Sequence, residues 1–245
     1  MTLSDEVSET FSATHHAVLF ALISRQVTEH AGKDKGASII RQGVRWYGEQ
    51  RGKRMALRAR ANGHKLTMDN YLTYGEWRTS EREIESEIIE TTPNLRNRVT
   101  ICPWHNAWGD NNLMAHGALY CLEIDKALVR GFNPKLIVEV RDTLSGGGNF
   151  CEFVFHNTHD TKLGFWQEQL SKLRKKLKPG ISPLMDWDYH LGHLYKTMRE
   201  VVIRDLGDSG QTAMSTALSE FATRYGKEAA QTVKSYAATD FNVLP

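Results

Sequence analysis

The chain contains three cysteines, all between positions 102 and 151, and each stands beside a group able to move a proton or share a ligand. The first sits in Cys102-Pro103-Trp104-His105. The second sits in Tyr120-Cys121, with Asp125 four residues on. The third opens Cys151-Glu152-Phe153. A thiolate is the reactive form of cysteine, and a nearby imidazolium lowers the thiol pKa. Cys102 with His105 is therefore a coherent nucleophile and partner. Cys121 and Asp125, at i and i+4 of a predicted helix, share a face and could present thiol and carboxylate to one substrate or metal. Asp125 lies between Ile124 and Leu128, and a buried carboxylate needs a partner. Strand alternation places Cys151 with Phe153 and Phe155, opposite Glu152 and Val154. Each cysteine also has a plainer use as a small apolar core residue, and His105 could cap a helix or lie exposed.

The elements that position these residues follow from periodicity. From about Thr14 to Ala61 the chain reads as helical. Ala17, Phe20, Ala21, Ser24 and Val27 recur at helical spacing, Gly32 to Gly36 interrupts, and Ile39, Ile40, Val44 and Tyr47 resume. A short helix is expected within Asp69 to Trp77. Ile84 to Glu90 and Val99 to Ile101 read as strands around the turn at Pro93-Asn94. Asn111 to Arg130 reads as one helix, stopped by Gly131-Phe132-Asn133-Pro134. Leu136 to Val140 and Phe150 to His156 are strands joined by Ser145-Gly146-Gly147-Gly148-Asn149. A helical stripe follows through Leu163, Trp166, Leu170 and Leu173, and a last helical block runs from Asp186 to Ala237. That block echoes the first: Gly36 and Gly52 are 16 apart, as are Gly210 and Gly226, each second glycine followed by lysine.

The expected fold class is α+β: a central antiparallel sheet with a β-β-α-β-β core, flanked by N- and C-terminal helical hairpins. The chain of 245 residues is expected to be one domain, helical over 1–78, α+β over 79–158 and helical over 159–245. Apolar residues make up 40% and charged residues 24%, an ordinary globular balance. The net charge of +2 favours neither nucleic acid nor an anionic membrane. The basic run Lys172 to Lys176 reads as a solvated helix end. No apolar run reaches the roughly 18 residues of a membrane span, and the first residues lack a secretory pattern. An odd number of cysteines argues against a disulfide framework, so a reducing cytoplasm is expected.

The run from Cys102 to Phe155 resembles the L-2-amino-thiazoline-4-carboxylic acid hydrolase family of bacteria. The shared features are Cys102-Pro103, Tyr120-Cys121 with Asp125, Gly131-Phe132-Asn133-Pro134, Thr143-Leu144 with the glycines after it, and Cys151 with Phe153. The resemblance implies a hydrolase that opens a small cyclic amidine ring with water, giving a carbamoyl-cysteine product. Cys102 and His105 are then the expected reacting pair, Cys121, Asp125 and Cys151 complete the site, and Asn133 and Thr143 orient substrate. A small-molecule substrate is the expected partner, with no nucleic acid, no membrane and a homo-oligomer left open. No cofactor is expected. The same segment is similar, more distantly, to the vinyl-4-reductase-like small-molecule-binding module. That kinship implies an alternative: a non-catalytic sensor holding a zinc through cysteine and a carboxylate such as Glu139 or Asp142.

Smaller signals have plain readings. His15-His16 and His190 with His193 are helix-borne and read as surface or core residues. Trp46-Tyr47 and Trp187 with Tyr189 read as packing aromatics. Arg41 and Arg45 share a helix face and could bind a substrate carboxylate, or simply be solvated.

Overall fold

The structure, a computed structural model, describes residues 11–77, 84–158 and 184–245. The expected stripe at 163–173 and the basic run at 172–176 lie outside the described residues.

Helix α1 (Ala13–Ala31) is the hub. Ala17 to Ile23 is an unbroken apolar run with no solvent exposure, and a helix apolar on every side must be surrounded. Around it pack α2 (Lys33–Ala61), α4 (Pro103–Asp110), α5 (Met114–Cys121), α7 (Trp187–Leu206) and α8 (Asp208–Tyr225). The expected break between the first two helices falls at Gly32. A short α3 (Met68–Thr73) follows α2, its N-terminus capped by the Thr67 hydroxyl, which accepts from the Asn70 backbone N–H. The last helix is α9 (Lys227–Ser235).

Strands β1 (Glu85–Glu90), β2 (Leu95–Ile101), β3 (Val138–Asp142) and β4 (Cys151–Phe155) form one antiparallel sheet in the order β1-β2-β4-β3. The fold class is α+β, as expected. Register pairs Val99 with Cys151, Asn97 with Phe153, and Leu95 with Phe155. Val140 continues the row through Phe153, and Val138 the row through Phe155. The alternation read for Cys151, Phe153 and Phe155 therefore holds. Glu152, on the opposite face, accepts from Arg96 at 3.0 Å and from Arg98 at 2.7 Å.

The connection between the strand pairs differs from expectation. Instead of one helix over 111–130 there are two short ones, α5 and α6 (Ile124–Phe132), and the unanticipated α4 precedes them. Pro103 at the first turn starts α4, where its missing N–H costs nothing. Asn112, at φ 56°, turns the chain between α4 and α5, and asparagine tolerates that left-handed conformation. At Glu123 the chain kinks again and starts α6. The Glu123 carboxylate accepts from Arg41 at 2.7 Å and pairs with Arg45 at 2.9 Å, which ties this corner to α2. Strand β3 starts two residues later than expected. The glycine-rich turn is a 3-10 turn (Leu144–Gly146) in which the Thr143 hydroxyl accepts from the Gly146 N–H at 3.1 Å.

Two helix contacts matter for the site. Helix α2 lies directly on α6: a Cβ at Gly52 would strike the carbonyl of Leu128, and one at Gly131 would strike the backbone of Glu49. Only glycine permits that approach. The echo between the first and last helical blocks also has a structural counterpart. A Cβ at Gly36 would sit 2.6 Å from the Thr28 Cα, and one at Gly210 would sit 2.6 Å from the Val202 carbonyl oxygen. Each glycine folds its helix back on a residue eight positions earlier. The echo ends there, since Gly52 lies inside α2 whereas Gly226 separates α8 from α9.

Candidate active site

The three thiols meet. Cys102, Cys121 and Cys151 line one cavity of about 160 Å³ together with Asp125, Thr143, Tyr120, Trp77, Trp104 and Phe153. Its size suits a small ring compound. Each group arrives from a different element. Cys102 ends β2 and precedes α4. Tyr120 and Cys121 end α5. Asp125 lies in the first turn of α6. Thr143 caps the 3-10 turn, and Cys151 starts β4. The i, i+4 argument for Cys121 and Asp125 is replaced by a different geometry. The kink at Leu122-Glu123 separates them onto two helices, and the corner between those helices turns both into the cavity.

Two expected site residues stand elsewhere. The His105 side chain is not part of the cavity lining, and its Nδ1 is buried with no partner among the described residues. What His105 brings to Cys102 is its backbone N–H, which with that of Trp104 opposes the rise of the thiol pKa. Asn133 serves the turn after α6. Its Nδ2 donates to the Leu66 carbonyl at 2.8 Å, and its Oδ1 accepts from the Lys135 N–H at 3.1 Å. It lines a separate groove with Lys53, Arg60 and Lys135.

The electrostatics set the resting protonation. Burial pushes the Cys102 thiol up, against the two backbone N–H groups at the start of α4. Burial pushes Cys121 up much further. Burial also takes Cys151 up to about 11, although the Leu144 N–H reaches its sulfur at 3.3 Å. All three are thiols at neutral pH. Asp125 is half-buried by surface, but what remains accessible faces this largely apolar cavity. That desolvation pushes its carboxyl up to about 6, with the Arg51 charge pulling the other way. Asp125 is thus the lining group poised to exchange a proton near neutrality.

Behind the cavity wall lies a polar cluster that sequence reasoning missed. The Trp104 indole N–H donates to His16 Nδ1 at 3.1 Å. Indole is a donor only, so the His16 proton sits on Nε2, 3.0 Å from the Tyr47 hydroxyl. Burial holds His16 well below the usual histidine range, and it is neutral. Arg51, Arg54 and Arg58 are all fully buried on one face of α2. They converge on one carboxylate, Glu76, at 3.1, 2.9 and 2.5 Å. Burial would raise the Glu76 carboxyl, but Arg54 and Arg51 override that and hold it down to about 2. The Arg51 guanidinium carbon lies 3.5 Å over the ring of Trp77, which itself lines the cavity. Arg41 and Arg45, the arginines noted for a substrate carboxylate, are instead taken up by Glu123. A hint of Arg51 was present in the three- and four-residue spacing of the arginines, but charged helix positions ordinarily face solvent.

The zinc alternative finds no ready ligand set, since among the described residues no three His, Cys, Asp or Glu side chains gather as a metal site. Glu139 pairs with Arg141 and His156, and Asp142 accepts from the Thr143 N–H. No helix among the described residues is long and apolar enough to cross a membrane.

These features define an α+β protein in which a small antiparallel sheet and short helices border a cavity lined by thiols and one carboxyl. Residues 12–155, more than half of the chain, match the family model of L-2-amino-thiazoline-4-carboxylic acid hydrolase, and the chain belongs to that family. No curated protein and no solved structure matches the chain.

Proposed function

We propose that the chain is a ring-opening hydrolase acting on a non-peptide C–N bond of a small cyclic amidine such as 2-amino-thiazoline-4-carboxylate. The observation that carries this reading is the convergence of three thiols and Asp125 on one small cavity within the matched residues. Cys102 is the preferred nucleophile because its sulfur lies at the start of α4, where backbone N–H groups favour the thiolate. Asp125, with a carboxyl near 6, replaces His105 as the proton acceptor. It takes the thiol proton as sulfur attacks the amidine carbon and returns it to the ring nitrogen. The exocyclic amine supplies the second proton as the ring C–N bond breaks. Water then displaces the enzyme thiol, giving the carbamoyl product and restoring Cys102. The reaction so written draws on no cofactor.

The test is substitution of each thiol with turnover of 2-amino-thiazoline-4-carboxylate as the readout. Cys102→Ser is expected to abolish turnover with the fold intact, because a hydroxyl is a far weaker nucleophile than a thiolate near neutral pH. Cys121→Ser and Cys151→Ser are expected to retain activity. Near-normal turnover by Cys102→Ser transfers the role to whichever of the other two is inactive. If all three variants stay active, thiol catalysis is wrong.

A further inference from the structure

Among the described residues, charge does not balance behind the cavity. Three guanidinium groups of α2 are buried there with one carboxylate, Glu76, between them. An uncompensated buried charge is costly, so a site that tolerates one is built to receive its counter-ion. The spare donors are also identifiable. Arg54 spends its fork on Glu76 and on the Phe241 carbonyl at 2.8 Å. Arg58 spends its own on Glu76 and the Met185 sulfur. Arg51 alone keeps a buried Nη1 with no partner among the described residues. Tyr120, 4% exposed and part of the cavity wall, has a buried hydroxyl that is likewise unpartnered. Arg51 acts electrostatically on Tyr120 and Asp125 and lies against Trp77. All three belong to the lining, so the guanidinium backs one end of the cavity.

We infer that this end of the cavity is an anion site, in which the Tyr120 hydroxyl and the free Arg51 Nη1 receive the carboxylate of the ligand. Both groups donate and neither competes for a proton, because burial keeps the phenol protonated. A carboxylate held there leaves the rest of a small ring facing the thiols and Asp125. It also supplies a negative charge that the arginine cluster lacks among the described residues. Tyr120 and Arg51 are positioning residues in this scheme. The inference deepens the proposed function, since it names what selects that reaction's substrate.

The experiment compares L-2-amino-thiazoline-4-carboxylate with 2-amino-2-thiazoline, the same ring without its carboxylate, measuring both affinity and turnover. The wild type is expected to prefer the carboxylate by at least about 100-fold in kcat/KM, as expected for a site built to hydrogen-bond a missing group. Tyr120→Phe is expected to raise KM for the carboxylate about 10-fold, with kcat far less affected, and to shrink the preference. A merely structural effect would depress both substrates alike and leave the ratio unchanged. Arg51→Lys, which keeps the charge but not the fork, is expected to shrink the ratio further. Equal action of the wild type on both compounds, or an unchanged ratio in Tyr120→Phe, overturns the anion site while leaving the hydrolase reading in place. Tight, carboxylate-dependent binding without turnover overturns the hydrolase reading and supports the anion site. If the wild type neither binds nor cleaves either compound, both fall.

Discussion

Asp125 is the residue whose environment has the clearest measurable consequence. Its carboxyl is raised by desolvation from 3.8 to about 6, so the folded protein holds this proton more tightly than the unfolded chain does. Linkage then runs opposite to the usual carboxylate. Asp125 subtracts stability as pH rises from about 4 to about 6, and the full penalty is present at pH 7. Asp125→Asn removes the penalty. The variant is expected to be more stable than the wild type at pH 7, to lose that advantage near pH 4, and to be inactive. Denaturant titrations at the two pH values check this, and a variant less stable at pH 7 contradicts it. Turnover by the wild type is expected to fall as pH drops below about 6, where the carboxylate base becomes protonated. The thiols and Asp125 could be singled out in the sequence by residue type and clustering. Arg51 could not, because burial of an arginine depends on where Glu76 and Trp77 come to rest.

Helix α2 carries its arginines at 51, 54 and 58 as one buried row against Glu76. Removing the one carboxylate they share among the described residues strands three charges, so Glu76→Gln is expected to cost about 3–5 kcal/mol of stability. A loss under about 1 kcal/mol, read from urea midpoints, would show that the row is neutralised elsewhere. The same element sets acid sensitivity. Because Glu76 is depressed from 4.5 to about 2, its stabilisation is complete above pH 4.5 and is lost as pH falls toward 2. His190, which burial depresses to about 3, works in the same direction from higher pH. The unfolded chain gains that proton below 6.5, so stability erodes from pH 6.5 down to about 3. Both should be visible as a midpoint that declines in two steps on acidification. The long helices were legible from their periodicity. The division of 103–132 into α4, α5 and α6 was not, since the Asn112 turn and the Glu123 corner rest on contacts with α2 that no local pattern contains.

The family match ends at residue 155, but the core does not. Leu191, Leu194, Met198, Val202, Ala213, Met214, Ala217 and Phe221 are fully buried in the same apolar cluster as α1. Truncation after residue 158 would expose the α1 faces that α7 and α8 cover, each large apolar side chain forfeiting about 1.5–3 kcal/mol. The shortened chain is expected to lose its cooperative unfolding transition, followed by circular dichroism. A truncated chain that unfolds cooperatively would show instead that the first 158 residues form their own folding unit.

The sequence by itself determined the α+β class, the two helical blocks, the alternation that aims Cys151 and Phe153 to one side, and the neighbourhood in which chemistry was to be sought. All of these follow from periodicity, turn residues and residue type, which act locally. Only the tertiary structure decided that Cys121 and Asp125 meet across a corner rather than along one helix, that the His105 and Asn133 side chains stand apart from the cavity, and that Arg51 lies behind it. Those outcomes depend on how closely α2 can approach α6 through Gly52 and Gly131, and on which buried charges find partners. Both are properties of residues far apart in the chain.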